Sequence, residues 1–317
     1  MSLAYPADTA EGGLQFFAGW LGARYARSVT LESPSCAEGI GRVTLTVGRR
    51  WSLAVTLVDT LAADADLPFE TARAAVERRL DLLGRPLALW VPRGAALPAS
   101  EPGLSDLALA VESANQLEDG RLEVRRPVRL NLRRAGTTGS VVTVLGGLSA
   151  HWAQFTNRVP GTYQLNSLAL NRLPQSEDER TALAERIVLA SQQPMADEDQ
   201  TILAEDVWTA TPLNGRSCVF GSPRPENDET SAALRRNLRG LLRAAGAAPA
   251  GADATALVIL GAATYAEDER LTWALKGMDP RVYLGYDLVV VMADGVVKPL
   301  VLPGRAALPW DGPLPVS

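Results

Sequence analysis

Lysine is almost absent from this chain of 317 residues: all but two of its 31 basic residues are arginine, and the exceptions are Lys276 and Lys298. A phosphate-binding P-loop needs its lysine inside a Gly-Lys-Ser/Thr run, and neither lysine here follows a glycine. Neither stands in the Val-Ala-Ile-Lys context of a protein kinase, and no Gly-x-Gly-x-x-Gly run follows a predicted strand. We therefore expect no nucleoside triphosphate, no dinucleotide and no other cofactor.

Histidine and cysteine are equally scarce, with one histidine, His151, and two cysteines, Cys36 and Cys218. These soft ligands are too few to hold zinc, although carboxylates alone could hold magnesium. Two distant cysteines form no disulfide framework, and residues 1–11 lack the basic and apolar parts of a signal peptide. No apolar run approaches the roughly 20 residues of a membrane helix. These absences predict a cytoplasmic protein without a bound transition metal or a membrane partner.

The formal net charge of −5 also bears on partners. An acidic chain has no overall field that would attract phosphate, so a nucleic-acid surface would have to be a local patch. Because arginine is favoured throughout the chain, a cluster of arginines is less specific for nucleic acid here than it would be elsewhere.

The order of predicted elements indicates an α/β (or α+β) protein built from two similar modules. Residues 12–132 and 176–302 are each predicted to form a helix, a hairpin, a helix, a strand, a helix and a strand pair, in that order. Glycines that form turns or end helices stand at corresponding places in the two segments. We predict an internal duplication with a first module at 1–135, a unique connecting stretch at 136–175 and a second module at 176–317. The alternative is that the similar order of elements in the two segments arises by chance, as it can in any α/β chain.

The first module, read as helix, three strands, helix and strand, resembles the restriction-endonuclease-like core in topology. That family cuts phosphodiesters with a metal held by an acidic residue and an Asp/Glu-x-Lys tripeptide. Here Ala274 and Val296 stand two positions before the lysines, so the tripeptide is missing. The resemblance therefore implies a degenerate relative that does not cut, and it carries over no site residues.

The connecting stretch interleaves aromatic side chains with amides and arginines, which stack on bases and hydrogen-bond to their edges. A helix from Ser149, a break at Pro160 and Gly161, and a second helix through Leu165 would resemble a helix-turn-helix. Alternatively, the aromatic side chains belong to an interdomain core. The candidate binding residues are His151, Trp152, Phe155, Asn157, Arg158 and Tyr163.

A second candidate surface is the helix predicted from Asp228 to Ala245. Arg235, Arg239 and Arg243 are spaced by four and form one stripe opposite the leucines, where they could contact phosphate or an acidic partner. The alternative is a solvated helix face.

Together these features favour a protein that binds rather than catalyses, with nucleic acid or a nucleic-acid-processing complex as the preferred partner. One alternative is a metal-dependent hydrolase or nuclease that uses a carboxylate set such as Glu32, Asp59 and Glu70. Another is a protein-interaction scaffold or homo-oligomer. A hydrolase site at Ser149 and His151 is disfavoured, because the two lie two positions apart without a Gly-x-Ser-x-Gly elbow.

Overall fold

The computed structural model describes residues 8–61, 66–193, 199–223, 231–261, 283, 285–300 and 307–311, with backbone alone at 231–235. The helices are α1 (Thr9–Tyr25), α2 (Leu67–Asp81), α3 (Gly103–Glu112), α4 (Glu177–Gln192) and α5 (Ser231–Ala245). The strands are β1 (Val29–Leu31), β2 (Ser35–Ala37), β3 (Ile40–Val47), β4 (Trp51–Asp59), β5 (Leu87–Trp90), β6 (Asn115–Gln116), β7 (Leu122–Gly136), β8 (Ser140–Gly146), β9 (Gly161–Ser167), β10 (Asp199–Pro212), β11 (Cys218–Phe220), β12 (Ala254–Leu260), β13 (Leu288–Ala293) and β14 (Val296–Pro299).

The strands form two mixed sheets. The first has the order β1-β3-β4-β12-β13-β14, with β2 beside β3, and its centre consists of the parallel strands β4, β12 and β13. These central strands are nearly all buried, as expected for strands covered on both faces. Helix α1 packs on one face, and Leu238 and Leu242 of α5 pack on the other.

The second sheet has the order β11-β5-β10-β7-β9-β8, with β6 beside β7. One face is covered by α2 and α3 over β5, β11 and the end of β10, and by α4 over the rest. On the opposite face, Trp90 of β5 and Phe220 of β11 stack at 4.3 Å and join the core around α1. Helix α1 is therefore enclosed between the two sheets.

Two adjacent glycines let α1 approach both sheets closely. A Cβ at Gly12 would lie 2.8 Å from the Sγ of Cys218 in the second sheet. A Cβ at Gly13 would lie 2.9 Å from side-chain carbons of Leu57 and Leu260 in the first sheet. Any larger residue at either position would push α1 away from one sheet.

The mixed α/β class is confirmed, but the internal duplication is not. Both sheets take strands from the first and the last third of the chain, so a boundary at residue 135 or 176 divides the strands of each sheet. The hairpin of the second module, which the Asn214-Gly215 turn signal predicts, is wrong, because β5 lies between β10 and β11, antiparallel to one and parallel to the other. The division at 1–135, 136–175 and 176–317 stays a prediction.

The restriction-endonuclease-like arrangement of the first module is also wrong. The strand that follows α2 is β5, and it lies in the second sheet. The parallel neighbour of β4 is instead β12, from the far end of the chain. Residues 12–132 alone therefore do not form the single sheet that the resemblance requires.

The helix-turn-helix prediction for the connecting stretch is wrong as well. The stretch forms β8, a 3-10 helix (Ser149–Gln154) and β9, and Leu165, placed on a predicted helix, lies in β9. Odd-numbered residues of β9 are buried while Gln164 and Asn166 are exposed, which is the period of two that a half-buried strand shows. In the second module, Thr264 with Glu267 predicts a capped helix that Gly277 ends, and this helix lies outside the described residues. Among the described helices, none has the length and apolar character needed to cross a membrane.

Candidate binding face

One face of the second sheet is open to solvent over the four strands β10, β7, β9 and β8. On β7 the side chains alternate, with Val128, Leu130 and Leu132 buried toward α4. The intervening side chains point to solvent, and the same alternation holds on the neighbouring strands. The open face is defined by the exposed residues Asp199, Thr201, Leu203, Arg129, Asn131, Arg133, Gln164, Asn166, Val141, Thr143 and Leu145.

The strand register places these side chains in rows across the sheet. Asn131 lies directly opposite Thr201 on one side and Asn166 on the other, and Asn166 lies opposite Leu145. The next row contains Asp199, Arg133, Gln164 and Thr143 in that order. Four strands spaced by about 4.8 Å make the face roughly 14 Å wide between the outer strand axes. The centre of the face is polar, and its exposed apolar side chains lie on the outer strands.

Arg129 and Arg133 give the centre of the face its charge. Among the described residues, Arg129 takes part in no hydrogen bond or ion pair, and its guanidinium carries five donors. Arg133 lies 3.8 Å from Asp199, and both side chains are more than half exposed. An exposed pair at that distance is weak. Among the residues that define the open face, Arg129 and Arg133 are basic and Asp199 is acidic.

No protein-family model, no curated protein and no solved structure matches this chain. The chemistry of its own surface residues is therefore what indicates a function.

Two of the predicted binding residues lie in the core behind the open face. Phe155 and Tyr163 are almost fully buried among the side chains that pack against α4. The Tyr163 hydroxyl donates to the Ser191 carbonyl oxygen at 2.7 Å. Neither ring is accessible to a base, so the prediction that they stack on a ligand is corrected: they support the sheet from its helical side.

The other predicted residues of the connecting stretch lie on the crossover between β8 and β9. This crossover packs on the helical side of the sheet, opposite the open face. Trp152 is 53% exposed, and His151 is partly buried. Arg158 pairs with Glu185 of α4 at 2.6 Å, and Asn157 has a left-handed backbone with φ of 68°. The sequence-predicted set therefore does not converge on one surface.

The arginines of α5 lie on the first sheet, apart from the open face. Leu238 and Leu242 are buried, Arg239 is partly buried and Arg243 is exposed, as the helical stripe predicts. The side chain of Arg235 is outside the described residues. This surface stays a separate prediction.

The carboxylates proposed for a metal site are not brought together. Asp59 is buried at the end of β4 and accepts hydrogen bonds from the Thr9 hydroxyl and the Leu61 amide. Glu70 pairs with Arg73 at 2.5 Å, and Glu32 lies level with Thr44, well along the sheet from Asp59. Within the described ranges, no group of three His, Cys, Asp or Glu side chains is placed to hold a metal ion.

A buried carboxylate fixes the chain where the connecting stretch enters the centre of the molecule. Asp206 of β10 is fully buried, and its Oδ1 accepts from the amides of Asn171 and Arg172 at 2.8 and 2.7 Å. Its Oδ2 accepts from the Asn171 side-chain amide and the Trp208 indole at 3.1 and 2.8 Å. The Arg172 side chain then pairs with Asp294 at 2.7 Å, which ties the turn between β13 and β14 to the second sheet.

Beside this carboxylate, α3 and β7 enclose a groove of about 490 Å³. Arg126 lines it, with its guanidinium 5.0 Å from the Trp208 ring centroid and a hydrogen bond to the Ala96 carbonyl. Burial lowers the pKa of Arg126, and nearby Asp206 partly offsets this effect. Arg125, on the same groove, is held by the carboxylates of Glu123, Glu179 and Glu205. These acidic groups make the groove unfavourable for an anion.

Of the residues at the centre of the open face, the sequence pointed to Asn166, one of the amides of the connecting stretch, but not to Arg129, Asn131, Arg133 or Gln164. The signal was present in Val128 to Arg133, where valine and leucine alternate with arginine and asparagine. Alternation of this kind indicates a strand with one wet face. What the sequence lacked was the register that brings Gln164 and Asn166 beside those residues.

Proposed function

We propose that this protein is a non-catalytic binding protein and that its open face binds single-stranded nucleic acid. The observation that carries the proposal is the juxtaposition of Arg129, Asn131 and Arg133 on β7 with Gln164 and Asn166 on β9. A four-stranded sheet with helices behind it and a bare front face is a common platform for unpaired bases.

The side chains at the centre supply the required chemistry. Guanidinium groups neutralise phosphates and also stack flat on bases, while amides donate to and accept from base edges. Arg129 and Arg133 are four residues apart on one strand, about 13 Å along the sheet, so both can reach one extended strand. Because the face offers no aromatic side chain, the stacking contribution rests on arginine, and we expect modest affinity.

The distribution of polarity favours this ligand over a protein. Interfaces between proteins usually have an apolar, aromatic centre and a polar rim. On the open face the order is reversed, since Leu203 and Leu145 lie on the outer strands and the amides and arginines lie between them.

Titration of a labelled single-stranded oligonucleotide of about ten nucleotides, a length within the range that single sheet-based domains cover, tests the proposal. With two phosphate contacts, the logarithm of the binding constant should fall with the logarithm of salt concentration with a slope of about −1.4. Replacing Arg129→Gln together with Arg133→Gln should weaken binding by at least about tenfold and bring the slope close to zero.

The matched control carries the same change of charge on the helical side of the second sheet, as Arg78→Gln with Arg85→Gln, both exposed. This control should bind like the wild type. If the Arg78 and Arg85 pair weakens binding as much as the β7 pair, the open face is not the site. If the wild-type protein binds no single-stranded DNA or RNA at low salt, the proposal fails.

A further inference from the structure

Strand β8 ends the second sheet, and no described strand pairs with its outer edge. It has seven residues, Ser140–Gly146, with neither charge nor proline among them. Val141 and Leu145 are 46% and 55% exposed. Except at Ser140, whose carbonyl oxygen accepts from the Asn157 amide, this edge presents backbone groups without a partner strand beside exposed apolar side chains, which is a template for another strand.

The other end strands of the two described sheets, β1, β11 and β14, are protected in ways that natural proteins use. Strands β1 and β11 have three residues each, and β11 is fully buried. Strand β14 has four residues and carries Lys298 and Pro299. Short length, charge and proline all discourage pairing with another chain. Strand β8 has none of these protections. A register shift can also discourage pairing, but the shift in this part of the sheet lies between β7 and β9 and not at β8.

We propose that β8 pairs antiparallel with β8 of a second copy of this chain about a twofold axis at Thr143. In that register Val141 faces Leu145 of the second copy, and Thr143 faces its own equivalent, on the open face of the sheet. On the helical side Val142 faces Val144 of the second copy. Pairs of β-branched and threonine side chains across antiparallel strands are stabilising.

The second copy fits this edge better than an unrelated strand because the sequence of β8 is complementary to itself. All its side chains are neutral, and the neighbouring exposed residues Gln164 and Asn166 are neutral too. The nearest charge of the open face is Arg133, two strands away. Two copies therefore meet without like charges in contact, although each carries −5 overall. A single strand pair buries less than the roughly 1,200 Å² of stable interfaces, so we expect a dissociation constant of about micromolar or weaker.

Sedimentation of the full chain over a concentration series tests the pairing. The wild type should shift from monomer to dimer as concentration rises. Thr143→Lys places like charges opposite each other across the twofold axis and should remove the dimer, whereas Leu109→Lys, at an exposed leucine on α3, should not. Equal thermal unfolding midpoints for both variants show that the fold is kept, since both sites are exposed.

Cysteine crosslinking tests the register itself. Cys36 is a partly exposed native thiol, so both crosslinking variants carry Cys36→Ser. On oxidation Thr143→Cys should give a covalent dimer, because residues opposite each other across antiparallel strands are within disulfide reach. Thr201→Cys, on the same face but on β10, should remain monomeric.

Three results overturn the proposal. They are a wild type that stays monomeric at high concentration, a dimer that survives Thr143→Lys, and crosslinking at Thr201→Cys as fast as at Thr143→Cys. The edge and the centre of the open face are altered by different substitutions, so dimerisation and nucleic-acid binding are tested separately.

Discussion

Replacing the buried carboxylate of Asp206 by Asp206→Ala should cause one of the larger losses of stability in this protein. Four hydrogen-bond donors converge on this side chain, from the Asn171 amide, the Arg172 amide, the Asn171 side chain and the Trp208 indole. Both Asp206 and Trp208 are fully buried. Alanine leaves every donor without its acceptor, and the Trp208 indole has no exposed surface through which to reach water.

The magnitude follows from how well each donor can find another partner. A buried donor left unsatisfied costs about 1–3 kcal/mol, which applies in full to the Trp208 indole. Asn171 and Arg172 are partly exposed, so their amides can turn to water at a smaller cost of about 1 kcal/mol each. Removing a buried charge recovers part of its desolvation cost, and we therefore expect a loss of about 3–5 kcal/mol. Asp206→Asn keeps one acceptor oxygen and should lose about half as much.

Urea unfolding followed by tryptophan fluorescence measures this loss. The midpoint should fall in the order wild type, Asp206→Asn, Asp206→Ala, with little change in the slope of free energy against urea. The matched control is Asp199→Ala at the other end of β10, where the side chain is exposed and its ion pair is long. A loss below about 1 kcal/mol for Asp206→Ala would refute the reasoning, since it would mean that the four donors are satisfied elsewhere.

Two further predictions concern side chains that the sequence drew attention to. Phe155→Ala should cost about 3–5 kcal/mol in thermal or urea unfolding, whereas Trp152→Ala, at a half-exposed ring, should cost clearly less; equal losses would contradict the burial. Burial, with help from Asp8 and Glu11, raises the pKa of Cys36 to about 11, so its alkylation by iodoacetamide should be slow at pH 8 and increase toward pH 11. Because the folded pKa lies above that of an unfolded thiol, stability from this group is present at neutral pH and falls as pH rises from about 9 to 11.

Local signals in the sequence located most of the described helices well. Asp66 caps α2 by accepting from the Phe69 amide, and Ser176 caps α4 by accepting from the Glu179 amide, as their spacing predicts. Such caps are interactions between residues three apart, and for that reason they can be read from a short window. The hairpin of β3 and β4, with its turn between Val47 and Trp51, could likewise be predicted from neighbouring residues.

Strand partners were predicted poorly because they depend on contacts far apart in the chain. The Asn214-Gly215 turn joins two strands, as predicted, but nothing near it indicates that β5 is inserted between them. For the same reason the open face could not be predicted from the sequence, since Arg133 and Gln164 become neighbours only through the pairing of β7 with β9. In the connecting stretch, the spacing of the leucines wrongly predicted a helix. The burial of alternate residues in β9 is instead the pattern of a strand.

The pairing of β4 with β12 has a consequence for synthesis of the chain. The Ser52 amide, in β4, donates to the side chain of Asp253, which follows it by 201 residues. At 5–20 residues per second, the ribosome takes roughly 10 to 40 seconds to add that length, and β4 lacks its parallel neighbour for all of that time. The apolar β4 is thus exposed to other nascent chains and to chaperones while most of the protein is still being made. We expect nascent chains halted before residue 254 to bind chaperones, and release to follow only once β12 has left the ribosome.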